Sequence, residues 1–267
     1  MGRRRWFFPV LAALLVGTVA VREAQAHSAA RPVYYIGTRS KVMALTFDVS
    51  WGSTMLPKVL AVLNHYHQAA TFFVSGPWAK RYPSAIKAIL AGGNELASHG
   101  QAHVNLSGHG PSAIANNVSA ADTVLRQYTS APIRFFRPPN GDFNHSVVDT
   151  ASGLGYETVI WSIDSRDWLN PGVGVIAHRV LSGAFPGAII LLHASDTCKQ
   201  TDLALPAIFA GLQKQGYRLT TLGTLWAMGP AMRTDPRGSG QRPNLDPPTG
   251  TSPSHSASVT LTPRAAA

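Results

Sequence analysis

The sequence predicts an α/β fold, an incomplete (β/α) barrel of seven strands, with an open doubly wound sheet as the alternative. Two observations carry this reading. Between about residues 31 and 228, short β-rich apolar runs alternate with longer stretches of helical period, the pattern of βα repeats around a mostly parallel sheet. Polar or charged residues follow five of the seven strand candidates, where ligands bind in such sheets.

The strand candidates, in order, are Val42 to Phe47, Ala70 to Val74, Glu95 to Ala97, Arg134 to Arg137, Glu157 to Trp161, Ala188 to Leu192 and Arg218 to Thr220. The first two and the sixth are nearly continuous apolar runs, as strands covered on both faces require. The third follows the turn residues Gly92-Gly93-Asn94, and the fourth stops at Pro138-Pro139. The fifth and seventh follow Gly155 and Gly216. Between strands, Ile114, Val118, Ala121, Leu125 and Tyr128 step by four, three, four and three, and Leu205, Ile208, Phe209 and Leu212 repeat the same period. Both stretches read as one-faced helices.

At 267 residues and 28.4 kDa, with 45% hydrophobic and 13% charged residues, the chain has ample sequence for a core and is neither a disordered polyelectrolyte nor a polytopic membrane protein. A single cysteine, Cys198, excludes an intramolecular disulfide and a thiolate zinc cage, so a metal must use His, Asp or Glu. Residues 1–26 read as an address: Arg3, Arg4 and Arg5 precede an apolar run from Trp6 to Val21 that ends in Ala24-Gln25-Ala26. This is a cleavable signal peptide or a short N-terminal anchor, and either way the folded part is expected to be secreted or extracytoplasmic and associated with the cell wall. Without residues 1–26, which hold Arg3, Arg4, Arg5, Arg22 and Glu23, the net charge falls from +10 to +7. Such a chain is attracted to anionic wall polymers and lipid headgroups. No Lys/Arg run interleaves with aromatics, which argues against nucleic acid. Residues 229–267 hold seven Pro, four Gly, five Ser and five Thr, a composition that reads as a disordered tail. The expected folded domain therefore spans 31–228.

The strand ends carry the candidate chemistry. Asp48 follows the first strand, in Thr46-Phe47-Asp48-Val49-Ser50-Trp51-Gly52, as a general base, a metal ligand or simply a helix cap. His99 and His103 follow the third, at i, i+4 spacing that puts both imidazoles on one face if the segment is helical. The fourth leads into Arg137-Pro138-Pro139-Asn140-Gly141, where an Arg can anchor a carboxylate and a stiff loop can aim backbone N–H groups at an oxyanion; an ordinary Pro-Gly turn is the plain alternative. Asp164, Asp167 and Trp168 lie past the fifth, and Leu191 and His193 close the sixth. Gathered at one face, these groups point to hydrolysis: activated water attacks a carbonyl, backbone amides hold the oxyanion, and a His protonates the leaving group.

Over residues 41 to about 226 the sequence resembles the polysaccharide deacetylases with a NodB homology domain, carbohydrate esterase family 4, whose fold is a distorted (β/α)7 barrel. Five motifs occur in the family's order. The resemblance implies that Asp48 is the catalytic base, that His99 and His103 are ligands of a divalent metal such as zinc, and that Arg137 orients the base. It implies further that Asn140 offers its backbone N–H to the oxyanion, that Asp167 supports the Arg while Trp168 walls the groove, that Leu191 lines the acetyl pocket and that His193 is the general acid. Trp51 and Trp168 are candidates to stack on sugar faces, with a core role as the alternative. Two positions depart from the family. Val49 stands where the family has a metal-binding Asp, which implies a weakly held ion, and Gly100 replaces a Ser or Thr. The form T-F-D-[aliphatic]-S-W-G is similar to the sporulation-associated (PdaB-like) subgroup, as is the run from Asp167 to Gly172 together with Leu192 to Asp196. The expected function is exported, metal-dependent N-deacetylation of peptidoglycan or a related N-acetylated glycan. The alternatives are a degenerate, non-catalytic glycan-binding or structural homologue in spore or wall formation, and a deacetylase of a smaller amide. Membrane contact is expected only through an uncleaved N-terminus.

Overall fold

The computed structural model describes residues 30–237; the expected signal segment and the part of the expected tail beyond residue 237 lie outside the described residues. The elements are β1 (Tyr35–Ile36), β2 (Val42–Val49), α1 (Met55–His65), β3 (Thr71–Val74), α2 (Gly76–Arg81), α3 (Pro83–Ala91), β4 (Glu95–Ser98), α4 (Pro111–Leu125), β5 (Phe135–Phe136), α5 (His145–Gly153), β6 (Glu157–Thr158), β7 (Ile163–Asp164), α6 (Val173–Ser182), β8 (Ile189–His193), α7 (Thr201–Lys214), β9 (Arg218–Thr220), α8 (Leu222–Trp226) and β10 (Ala231–Met232). One-turn 3-10 helices lie at Leu106–Gly108, Pro139–Gly141 and Asp167–Leu169.

The main sheet runs β6-β5-β4-β3-β2-β8-β7, with β9 beside the start of β2, and every pairing in it is parallel. It curls into a half-barrel with helices outside. Residues Glu157 to Asp164 join one edge to the other, pairing with β5 at their start and with β8 at their end. Of the single strand expected over Glu157 to Trp161, only Glu157–Thr158 is β6, and β7 begins past its expected end, because the chain changes partners in between. The other expected strands and both expected helices are present, within a few residues at each end.

Strand alternation divides the core in two. In β2, Met43, Leu45, Phe47 and Val49 face the helices and belong to the outer core, where Leu56, Trp78 and Ile190 also lie. Val42 and Ala44 belong to the inner core with Phe73, Ala97, Phe135, Val159, Trp161 and Leu191. The same alternation places Thr46 and Asp48 on the inner face, so the last inward residue of β2 stands at the C-terminal mouth.

The fold runs past residue 228, where the sequence placed its end. β10 pairs antiparallel with β1, with Ile36 opposite Ala231 and Tyr35 opposite Met232, and Asp235 is buried. Two paired residues inside a Pro- and Thr-rich stretch carry no periodic signal; only the partner strand marks them. Among the described residues no helix is long and apolar enough to cross a membrane.

Candidate active site

Asp48 and His193 are register partners on the adjacent parallel strands β2 and β8, and the Ala194 N–H donates to the Asp48 carbonyl at 3.1 Å. Each side chain has its own oppositely charged partner. Arg137, completely buried, donates from one terminal nitrogen to Asp48 Oδ1 at 2.7 Å and to Thr46 Oγ1 at 3.1 Å. Its Nε and other terminal nitrogen donate to the carbonyls of Val159 (3.3 Å) and Ile160 (3.0 Å). Burial alone would raise the Asp48 pKa, but Arg137, His99 and His193 together hold the carboxyl below its ordinary range.

Asp167 is wholly buried, and its contacts go to β8 and α7. Its Oδ1 lies 2.7 Å from His193 Nδ1, while its Oδ2 accepts from the His193 N–H and the Thr201 hydroxyl, both at 2.7 Å. The expected support of Arg137 by Asp167 is thus replaced by support of His193. Burial lowers the His193 pKa, yet Asp167, with smaller help from Asp48 and Asp164, raises it above the ordinary value overall. A carboxylate can only accept, so Nδ1 carries a proton toward Asp167 and Nε2 is the nitrogen left for the cleft.

His99 is buried, and its Nδ1 lies 2.8 Å from the Arg137 carbonyl. A carbonyl also only accepts, so Nδ1 is protonated and the Nε2 lone pair points to Asp48 Oδ2, 3.7 Å away. Burial pulls the His99 pKa down to about 4 and lowers that of His103, with Asp48 opposing in both, so both rings are neutral at physiological pH. The pair does not lie on a helix as the spacing allowed. A turn at Gly100 (φ 75°) brings the two rings to 5.2 Å between centroids. A Cβ at residue 100 would meet Asn117 Oδ1 at 2.4 Å, and that oxygen accepts from the Gln101 N–H, so only glycine fits where the family has Ser or Thr.

Two neutral imidazoles are donors that a divalent ion such as zinc takes, and the second nitrogen of His99 is already anchored as those of metal ligands usually are. The site fits an ion with few protein ligands. Val49 adds none: it is fully buried on the helix side of β2. Among the described residues, the group of three whose ligand atoms all lie within 4.8 Å of one another is Asp167, His193 and Cys198, not Asp48, His99 and His103. Both Asp167 oxygens are already bonded there, and burial with Asp167 pushes the Cys198 thiol up, so that trio is a hydrogen-bonded dyad beside a protonated thiol.

Asn140 sits in the left-handed region (φ 58°) at the Pro139–Gly141 turn, so the loop bends back sharply after Pro138 and Pro139. Its side chain donates to Asn105 Oδ1, and its backbone N–H has no partner among the described residues. Trp168 and Trp51 are 36% and 49% exposed, on the loops after β7 and β2, the neighbours of β8 on the mouth's two sides. The Trp51 ring lies 4.3 Å from that of His103. Leu191 is buried in the inner core two residues before His193.

Sequence reasoning missed what holds the loop after β2. The Ser195 hydroxyl accepts from the N–H groups of Ser50 and Trp51, and the Asp196 carboxylate accepts from those of Ser53, Thr54 and Met55 at 2.7–3.1 Å. A Cβ at Gly52 (φ 72°) would strike Asp196 at 2.1 Å. The loop bearing Trp51 is thus latched to the loop that follows His193. A helix-capping carboxylate some 140 positions from its helix leaves no local spacing to read.

Residues 36–159 match the family described as Polysaccharide deacetylase. The chain is 37% identical over 193 residues to a peptidoglycan-N-acetylglucosamine deacetylase of Bacillus cereus, covering 71% of this chain and 90% of that one. It is 38% identical over 175 residues to a chitooligosaccharide deacetylase of Sinorhizobium fredii, covering 65% and 80%. Among solved structures, it is similar to a CE4 family pseudoenzyme from Bacillus anthracis at TM-score 0.69 and 30% identity, covering 73% of this chain and 68% of that one. A mutant of that pseudoenzyme with restored enzymatic activity is similar at TM-score 0.69 and 31% identity, covering 73% and 70%.

Proposed function

Since the chain belongs to the polysaccharide deacetylase family, we propose that it is an exported N-deacetylase that hydrolyses the acetamido group of amino sugars in peptidoglycan or a related glycan. The observation that carries this reading is the pair Asp48 and His193, side by side at the mouth with opposite partners, so that one is held ionised and the other protonated. Split pKa values of this kind assign base and acid.

Asp48, fixed through Oδ1 by Arg137, keeps Oδ2 toward the cleft to take a proton from the attacking water. The backbone N–H of Asn140 is the group assigned to donate to the developing oxyanion. His193 delivers its Nε2 proton to the departing amine, while Asp167 steadies the imidazolium through Nδ1. A divalent ion held by His99 and His103, zinc or a similar one, would polarise the acetyl carbonyl and acidify a bound water. Trp51 and Trp168 flank the mouth as platforms for sugar rings, and Leu191 backs the acetyl group. The folded domain is read as residues 31–237, with residues 1–26 as an export signal or anchor and the remainder as a tail.

Release of acetate from purified peptidoglycan by metal-supplemented protein tests the reading. We expect activity in the wild type and none above background in Asp48→Ala; equal release by both would remove Asp48 as the base. A second reading, a non-catalytic glycan-binding homologue in wall or spore formation, is favoured by one observation: Val49, in place of a ligand, is packed in the outer core. Binding of peptidoglycan without acetate release at any metal concentration would select it.

A further inference from the structure

We propose that the C-terminal clasp Asp235–Arg237 is a positioning element of the active site, acting on Arg137 through Trp161 and the strand that precedes it. This rests on the reading of Arg137 as the residue that orients Asp48. Half of the Arg137 cradle comes from one short stretch: its guanidinium donates to the carbonyls of Val159 and Ile160, and its Cζ lies 5.6 Å from the Trp161 ring and 4.0 Å from the Phe73 ring. Trp161 is 2% exposed and its buried indole N–H takes no hydrogen-bond partner, so packing alone places the ring.

Arg237 supplies part of that packing. Its guanidinium lies 5.7 Å from the ring centroids of both Trp161 and Tyr34. It is held there by Asp235, whose wholly buried carboxylate accepts from Nε, a terminal nitrogen and the backbone N–H of Arg237, each at 2.9 Å. A charged fork, fixed by a buried carboxylate, thus rests against two aromatic rings. The same C-terminal segment also reaches the cradle by a second route. β10 pairs with β1, the Tyr34 N–H donates to the Met232 carbonyl at 3.0 Å, and the neighbouring Val33 is bonded to the Thr158 carbonyl and the Ile160 N–H, both at 2.8 Å. Ile160 thus donates its N–H to the Val33 carbonyl, just before β1, and accepts from Arg137 on its own carbonyl.

The test uses full-length Arg237→Ala and Asp235→Asn, the second keeping the side-chain shape and losing only the charge. The Arg137 Nε–H resonance, assigned by its loss in Arg137→Lys, reports the cradle directly and needs no activity. We expect both variants to speed its exchange with solvent by at least about tenfold. We also expect kcat for acetate release to fall by about 10- to 100-fold with KM within about twofold, as misplacement of a positioning group does. Variants that melt lower yet keep wild-type Nε–H protection and kcat would show that the clasp only stabilises the fold, and would overturn the proposal. Should the wild type release no acetate, the deacetylase reading fails while the exchange measurement still decides the clasp.

Discussion

At the scale of single residues, the site is governed by which face of a strand each side chain takes. Asp48 and Val49 are consecutive, so alternation sends the first to the cleft and the second into the outer core. Val49→Asp should therefore place a carboxylate among apolar side chains, destabilising the metal-free protein by about 2–5 kcal/mol. If the end of β2 turns that carboxylate to the ion, zinc will raise the variant's melting temperature by more than it raises the wild type's, and zinc content after dialysis will increase. Equal gains in both proteins would show that the new carboxylate stays on the helix side. His193 makes a prediction of opposite character. Its pKa is raised in the folded state, so its pairing with Asp167 contributes stability that is fully present below about pH 6.5 and is lost as pH rises through the folded value. Chemical denaturation of wild type and His193→Gln should differ more at pH 5.5 than at pH 9. The same variant should lose about 10²- to 10⁴-fold in turnover with zinc content unchanged.

At the scale of elements, the loops after the strands are held from across the mouth rather than from within. Asp196 caps α1 from the β8–α7 loop, Asp167 on the loop after β7 anchors His193, and Asn117 on α4 fixes the turn that carries His99. The first and last described strands follow the same rule: β10 holds β1, and Val33, just before β1, bridges Val159, just after β6. Truncation after residue 228 removes β10 and the clasp together. It should lower the unfolding free energy by several kcal/mol, on the order of one for each buried hydrogen bond lost and more for the stranded partners. Truncation after residue 237 should unfold like the full chain. Equal denaturation midpoints for the two truncations would mean that β10 contributes nothing to the fold.

At the scale of the whole molecule, the curled parallel sheet brings residues from five widely separated stretches to one mouth while the helices cover its outside. Arg137, buried at the centre, is neutralised by Asp48 and lined by aromatic rings.

The sequence by itself determined the fold class and six of its seven expected strands nearly to the residue. Apolar period and the position of polar groups after each strand are local properties, legible in one dimension. The two-residue strands β1, β7 and β10 were not legible, because a pair of residues has no period and only a partner distant in sequence defines it. The partnership of Asp167 with His193 instead of Arg137, the latch of Asp196 on α1 and the clasp of Arg237 on Trp161 were likewise decided by tertiary structure. Each joins groups through space that no spacing along the chain relates. The same holds for Val49: its identity is written in the sequence, but its burial away from the ligands comes from the pleat of a strand closed on both faces.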